Sequence, residues 1–119
     1  MTDHEIIEAI AEKFMGWQER VALGTRMWQT KPESRLPWIP CVQFDPLHDP
    51  AACTLILDEI ERRGWDWTWD CNKRFDDMPY GFSVVVDAQA IGEWADNRYR
   101  AVCLAVLRAL EVANGPDAG

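Results

Sequence analysis

The sequence predicts an α+β domain with three helices and a small, mostly antiparallel sheet. Three observations support this class: two amphipathic segments with helix-capping residues, an alternating segment followed by a β-branched run, and a long apolar segment near the end. At 119 residues the chain can bury roughly two-thirds of its unfolded accessible surface. We expect residues 1–114 to form a single domain and residues 115–119 to be a flexible tail.

The first two helices are predicted from their ends. Thr2-Asp3-His4-Glu5 matches the capping box, in which a threonine hydroxyl and a glutamate side chain satisfy each other's amides. Apolar residues then follow at spacings of three and four: Ile6, Ile7, Ile10, Phe14 and Trp17. Gly16 is placed to end this helix. Asp49-Pro50 supplies a capping carboxylate and a proline for a second helix, which should end before Gly64.

The strands are predicted from alternation and β-branching. Residues 18–47 contain four prolines and have no clear period, so we expect an irregular segment with a strand near Thr25–Gln29. A hairpin should follow, with strands at Trp65–Arg74 and Tyr80–Asp87. Within it, Trp65, Trp67 and Trp69 occupy every second position, and polar Asp66, Thr68 and Asp70 lie between them. The tryptophans should therefore form one sheet face packed under helices, although a ligand platform is the alternative.

The last helix is predicted from about Glu93 to Ala113. Its middle, Ala101–Leu107, is apolar nearly all the way round. A helix of this kind is either buried between layers or part of an oligomer interface. We expect a homodimer or higher assembly formed through this helix.

Charge and composition exclude several classes of protein. The net charge of −8 argues against a phosphate-binding surface spread over the whole protein and hence against direct nucleic-acid binding, so any electrostatic groove would have to be local. The start of the chain is acidic and no apolar run could span a membrane, so we expect a cytoplasmic protein. The four cysteines lack a C-x-x-C pair and should be free thiols, and we expect no metal and no cofactor.

The candidate ligand-binding residues are aromatic side chains near cations. Trp28 and Trp38 have no assigned core face, and Arg35 lies between them in sequence; Lys73 and Arg74 follow the tryptophan strand. Stacking aromatics and phosphate-binding cations together can hold a nucleotide. The alternative is that these amphipathic side chains only cover sheet edges.

Catalysis and cation binding are weaker interpretations. His48 with Asp49 and either Cys53 or Cys103 could be imagined as a hydrolase site, but both cysteines lie on apolar helical stretches. Asp76 and Asp77 with Asp66 or Asp70 could hold a divalent cation, but an acidic turn is commoner than a site.

Three segments resemble a known family. They are EKFMGW (Glu12–Trp17), FDPLHDPAACTLILDEIERRGW (Phe44–Trp65) and RYRAVCLAVLRAL (Arg98–Leu110). In order and spacing they resemble the phage ABA sandwich domain, a family of short phage and prophage proteins, over nearly the whole chain. The resemblance implies a helix/sheet/helix sandwich and a bacteriophage origin, and it brings no established catalytic residues.

These observations favour a non-enzymatic, phage-encoded binding protein in the bacterial cytoplasm. The first hypothesis is a counter-defence protein that sequesters a small nucleotide-type signalling ligand. The second is an inhibitor whose acidic region, Asp45–Asp70, imitates nucleic acid and binds a host defence enzyme; this region has seven carboxylates and two arginines. The third is a small hydrolase that depends on His48.

Overall fold

The computed structural model describes residues 2–30, 38–71 and 77–114. This part of the chain contains three α-helices and six strands. The helices are α1 (Asp3–Ala9), α2 (Pro50–Arg62) and α3 (Arg98–Asn114). The strands are β1 (Gln18–Ala22), β2 (Thr25–Gln29), β3 (Trp38–Pro40), β4 (Asp66–Cys71), β5 (Tyr80–Val86) and β6 (Gln89–Ala95). The predicted α+β class is confirmed. The strands form two antiparallel sheets, ordered β1-β2-β3 and β4-β5-β6, rather than one.

The predicted helix starts are confirmed by their hydrogen bonds. The Glu5 amide donates to the Thr2 hydroxyl at 3.2 Å, and the Thr2 amide donates to the Glu5 carboxylate at 3.3 Å. A π-helical turn, Ile10–Phe14, extends α1 up to Gly16, whose φ of 74° takes the chain out of the helix. At α2, the Ala51 amide donates to the Asp49 carboxylate at 3.1 Å.

The C-terminal helix begins later than predicted. The segment from Glu93, expected to be helical, continues as β6, which pairs with β5, and α3 starts at Arg98. A two-residue turn, Asp87-Ala88, connects the strands with φ values of 51° and 66°. Such turns usually contain glycine, so Asp87-Ala88 cannot be identified as a turn from residue type alone. Asn97 then caps α3, because its side chain accepts from the Tyr99 amide at 2.7 Å and donates to the Leu47 carbonyl at 2.8 Å.

α3 lies at the centre of the core. It packs against β5 and β6 on one side and against α1, the π-helical turn and α2 on others. Its residues Ala101, Val102, Cys103, Ala105, Val106 and Ala109 are fully buried. We expected a homo-oligomer because this helix is apolar nearly all round. Since other elements of the same chain cover its apolar faces, the helix gives that expectation no support.

The tryptophan strand has the predicted alternation. Asp66, Thr68 and Asp70 are exposed on one face of β4. On the other face the Trp67 ring stacks on Phe82, with ring centroids 5.7 Å apart, and the Trp69 ring meets Phe82 edge to face at 5.1 Å. Coverage decreases along the row, since Trp67 is half-buried but Trp69 is 37% exposed. The end of β4 is therefore accessible from the helix side.

An ion-pair cluster joins the end of α2 to the end of the first helix. The buried carboxylate of Glu59 accepts from Arg62 at 2.8 and 2.5 Å and from Arg63 at 3.0 Å. Arg63 also donates to the Phe14 carbonyl at 2.8 Å, and its guanidinium lies 4.6 Å from the Phe14 ring centroid and 5.2 Å from that of Trp65. Arg63 thus connects three segments of the chain.

We expect Arg63→Met to destabilise the protein more than Arg62→Met. Loss of Arg63 removes one partner of the buried Glu59 carboxylate and one hydrogen bond to the backbone, so the free energy of unfolding should fall by roughly 2–3 kcal/mol. The loss is smaller than for a buried charge with no partner, because Arg62 still pairs with Glu59. Arg62 is 59% exposed against 27% for Arg63, and its loss should cost about 1 kcal/mol or less. Urea unfolding of both variants measures the difference, and equal costs would contradict this role of Arg63.

Candidate functional site

A groove of about 440 Å³ lies between α2, one end of the β4–β6 sheet and the start of α3. We call it the α2–α3 groove. Its α2 wall consists of Pro50, Cys53, Thr54 and Leu57. Its sheet wall consists of Trp69, Asp70, Cys71 and Tyr80, and Arg98 and Tyr99 of α3 close the end.

Regular secondary structure places these side chains together. The α2 residues recur at spacings of three and four, which puts them on one face of the helix. Cys71 pairs with Tyr80 across the antiparallel β4–β5 register, so the end of one strand and the start of the next form a single edge. The Asn97 cap fixes the first turn of α3, which carries Arg98 and Tyr99, beside this edge.

The groove combines aromatic faces with a guanidinium. The Trp69 indole is held in place by its edge-to-face contacts with Trp67, at 6.2 Å and 86°, and with Phe82. The Arg98 guanidinium lies 5.2 Å from the ring centroid of Tyr80, and its side chain is exposed. Aromatic rings stack on planar ligands, and a guanidinium binds anionic groups. The site can therefore bind a planar anion.

Burial makes two of the cysteines poor nucleophiles. Desolvation raises the pKa of the Cys53 thiol, which lines the groove, to about 11, and it also raises the pKa of Cys103. Both thiols are protonated at neutral pH, whereas a cysteine nucleophile must be a thiolate. His48 does not pair with Asp49, as the hydrolase hypothesis required. Its Nδ1 lies 3.0 Å from the Asp45 carboxylate, while Asp49 caps α2.

The structure does not bring Trp28 and Trp38 to one surface. Directly paired residues of an antiparallel sheet share a face, and Trp28 pairs with Ile39 whereas Trp38 pairs with Gln29. Trp28 faces the core and is 2% exposed, and Trp38 lies on the opposite face with 41% exposure. The other predicted ligand residues, Arg35, Lys73 and Arg74, lie outside the described residues, as does Asp76.

The acidic segment does not form one surface of free carboxylates. Asp45 pairs with His48, Asp49 caps α2, and Glu59 is buried between Arg62 and Arg63. Within the described ranges, no group of three or more histidine, cysteine or acidic side chains is arranged to hold a metal ion. In the same part of the chain, no helix combines the length and apolar composition needed to cross a bilayer.

Several groove residues were not identified from the sequence. Leu57, Tyr80, Arg98 and Tyr99 come from three separate elements, and no local pattern links them. Trp69 was interpreted as a core residue because it continues the alternation of Trp67. The position of Trp69 at the end of that row could have indicated its accessibility, because fewer helical side chains can cover a residue there.

Comparison with known proteins supports the fold. The chain shares its fold with a phage protein from Bacillus cereus ATCC 14579, whose crystal structure it matches with a TM-score of 0.64 and 18% sequence identity. The match covers 92% of this chain and 88% of that one. No family model matches the chain, and neither does any curated protein. The resemblance to phage ABA sandwich proteins is thus supported as a likeness to a phage protein of the same fold, and not as membership of a family.

We expect one cysteine to react much faster than the others. None of the four forms a disulfide; Cys71 is exposed at the groove edge, Cys41 is half-buried, and Cys53 and Cys103 are buried. Reaction with a chromogenic disulfide should therefore show one fast thiol, and Cys71→Ser should remove that phase. A fast phase that survives in Cys71→Ser and disappears in Cys53→Ser would contradict the burial of Cys53.

Proposed function

We propose that the protein is a non-enzymatic binding protein that holds a small planar anion of the nucleotide type in the α2–α3 groove. The observation that carries this proposal is the convergence of Trp69, Tyr80 and Tyr99 with the Arg98 guanidinium in one groove. A volume of about 440 Å³ is within the usual range for small-molecule sites.

The base and the phosphate of a nucleotide each have a counterpart in this groove. The base stacks on Trp69, whose ring is already oriented by Trp67 and Phe82. Stacking of a base on an aromatic side chain contributes about 1–3 kcal/mol. Arg98 contacts the phosphate.

The biological role we propose is counter-defence by sequestration of a nucleotide signal in the cytoplasm of an infected bacterium. Two observations support this role: the chain shares its fold with a phage protein, and its groove suits a nucleotide. The step from the shared fold to counter-defence is an argument by analogy with small phage proteins. Self-association through α3 is not part of it, because the chain covers that helix.

The non-enzymatic part of the proposal is supported by the chemistry of the groove wall. Cys53 is a protonated thiol there, and the His48–Asp45 pair lines a different groove. If the ligand is sequestered, chromatography should recover it unchanged after prolonged incubation with the protein. Turnover that disappears in His48→Ala would establish the hydrolase hypothesis instead.

Isothermal titration calorimetry against a panel of cyclic and linear nucleotides tests ligand binding. We expect at least one to bind, and Trp69→Ala and Arg98→Ala each to weaken binding about tenfold or more, since stacking and charge-assisted contacts each contribute more than about 1.4 kcal/mol. Trp38→Ala is the matched control, because this tryptophan is exposed on the outer face of the other sheet. No heat and no thermal shift with any nucleotide would refute the proposal, as would an equal loss in Trp38→Ala.

The acidic-inhibitor hypothesis, as placed on Asp45–Asp70, has no comparable support. A surface that imitates nucleic acid needs its carboxylates accessible and on one face, but Asp49 caps α2 and Glu59 is buried between Arg62 and Arg63.

A further inference from the structure

A second groove, of about 320 Å³, lies between α1 and the inner face of the β1–β3 sheet. We call it the α1–sheet groove. Glu8 of α1 lies on one side, Arg26 and Trp28 of β2 come from the sheet, and Asp45 and His48 come from the segment before α2. It shares no lining residue with the α2–α3 groove.

Trp28 gives this groove an unused hydrogen-bond donor. Trp28 is only 2% exposed, and its indole nitrogen has no hydrogen-bond partner. Within the described ranges it is the one buried side-chain nitrogen or oxygen of which this is true. Buried donors are nearly always paired, because an unpaired one loses its bond to water without replacement. The nitrogen itself is covered, so an acceptor from outside the chain, such as a carbonyl oxygen, would satisfy it once the side chains over it move aside.

Carboxylates outnumber cations in the charge balance of the groove. Glu8 and Asp45 both line it, and the single guanidinium, that of Arg26, is already bound to Glu19 at 2.5 Å and lies 3.7 Å from Glu8. The imidazoles also face carboxylates: His4 lies 2.8 Å from Glu8, and His48 lies 3.0 Å from Asp45. A cation is therefore the complementary charge.

Exposed apolar side chains lie at the same end of this sheet. Val42 lines the groove and Val21 pairs with Arg26, yet both are largely exposed. Leu23, at the β1–β2 turn, is fully exposed. Because β3 runs antiparallel to β2, with Pro40 opposite Met27, the chain after Pro40 leads towards the end of the sheet that carries this turn.

Leu23 is unfavourable there on two counts. Its φ of 52° is in the left-handed region that asparagine and glycine prefer in such turns, and its apolar side chain is in water. An asparagine would serve the turn better. A binding role for the side chain accounts for a leucine at this position.

We propose that the α1–sheet groove and its apolar rim, Val21, Leu23 and Val42, form a docking surface for a basic, extended segment of a protein partner. An arginine or lysine of the segment binds Glu8 and Asp45 in place of the exposed His4 and His48 imidazoles. A backbone carbonyl beside it accepts from the Trp28 indole N–H. Apolar neighbours of the basic residue pack on the rim. This surface is separate from the nucleotide site, and either proposal can fail without the other.

NMR titration of the ¹⁵N-labelled protein tests the docking surface with two matched peptides, acetyl-Leu-Arg-Leu-amide and acetyl-Leu-Glu-Leu-amide. The Trp28 indole signal is assigned by its loss in Trp28→Phe or, if that variant does not fold, from through-space contacts to its strand partners Glu19 and Ile39. We expect a saturable shift of this signal with the arginine peptide and none with the glutamate peptide. Binding should weaken with added salt, and Glu8→Gln should weaken it at least fivefold.

The rim is tested by Leu23→Asn, with Ala88→Gly as the control in the other hairpin turn. Both substitutions relieve a left-handed residue, at φ values of 52° and 66°, so both should raise the melting temperature. Only Leu23→Asn should weaken the arginine peptide. The proposal would be overturned if the Trp28 signal shifted equally with both peptides, or did not shift at millimolar peptide concentration. It would also be overturned if guanidinium chloride alone gave an equal shift, or if Leu23→Asn left the affinity for the arginine peptide unchanged.

Discussion

The need to cover α3 on every side determines the arrangement of the rest of the chain. A helix that is apolar nearly all round cannot be satisfied by one sheet, so β5 and β6 cover one side while α1, its π-helical turn and α2 cover others. α2 and the end of β4 consequently both come close to the first turn of α3. They leave a gap there, and that gap is the α2–α3 groove.

Local hydrogen bonding explains which elements could be predicted from the sequence. The capping groups of Thr2 and Asp49 act within three residues, so the sequence contains everything needed to place α1 and α2. β6 depends instead on the Asp87-Ala88 turn, which adopts a left-handed conformation without glycine because pairing with β5 enforces it. Because this turn has no local signal, the last helix was predicted to start at Glu93, whereas α3 starts at Arg98.

The candidate site was harder to predict than the fold because it depends on register. Trp28 and Trp38 are both aromatic residues of the irregular segment, and only the pairing of Trp38 with Gln29 shows that they occupy opposite faces. Trp69 was assigned correctly to a face, but its accessibility depends on where α2 ends its contact with β4. Neither fact has a counterpart in composition or periodicity.

The exposed edge of β4 bears on whether the chain pairs with itself. In the β4-β5-β6 order β4 is an edge strand, and such edges readily pair with a second copy. Antiparallel self-pairing centred on Thr68 would place Asp66 of one copy opposite Asp70 of the other. Like charges directly opposite each other destabilise a strand pair. The acidic residues that alternate with the tryptophans thus disfavour this pairing.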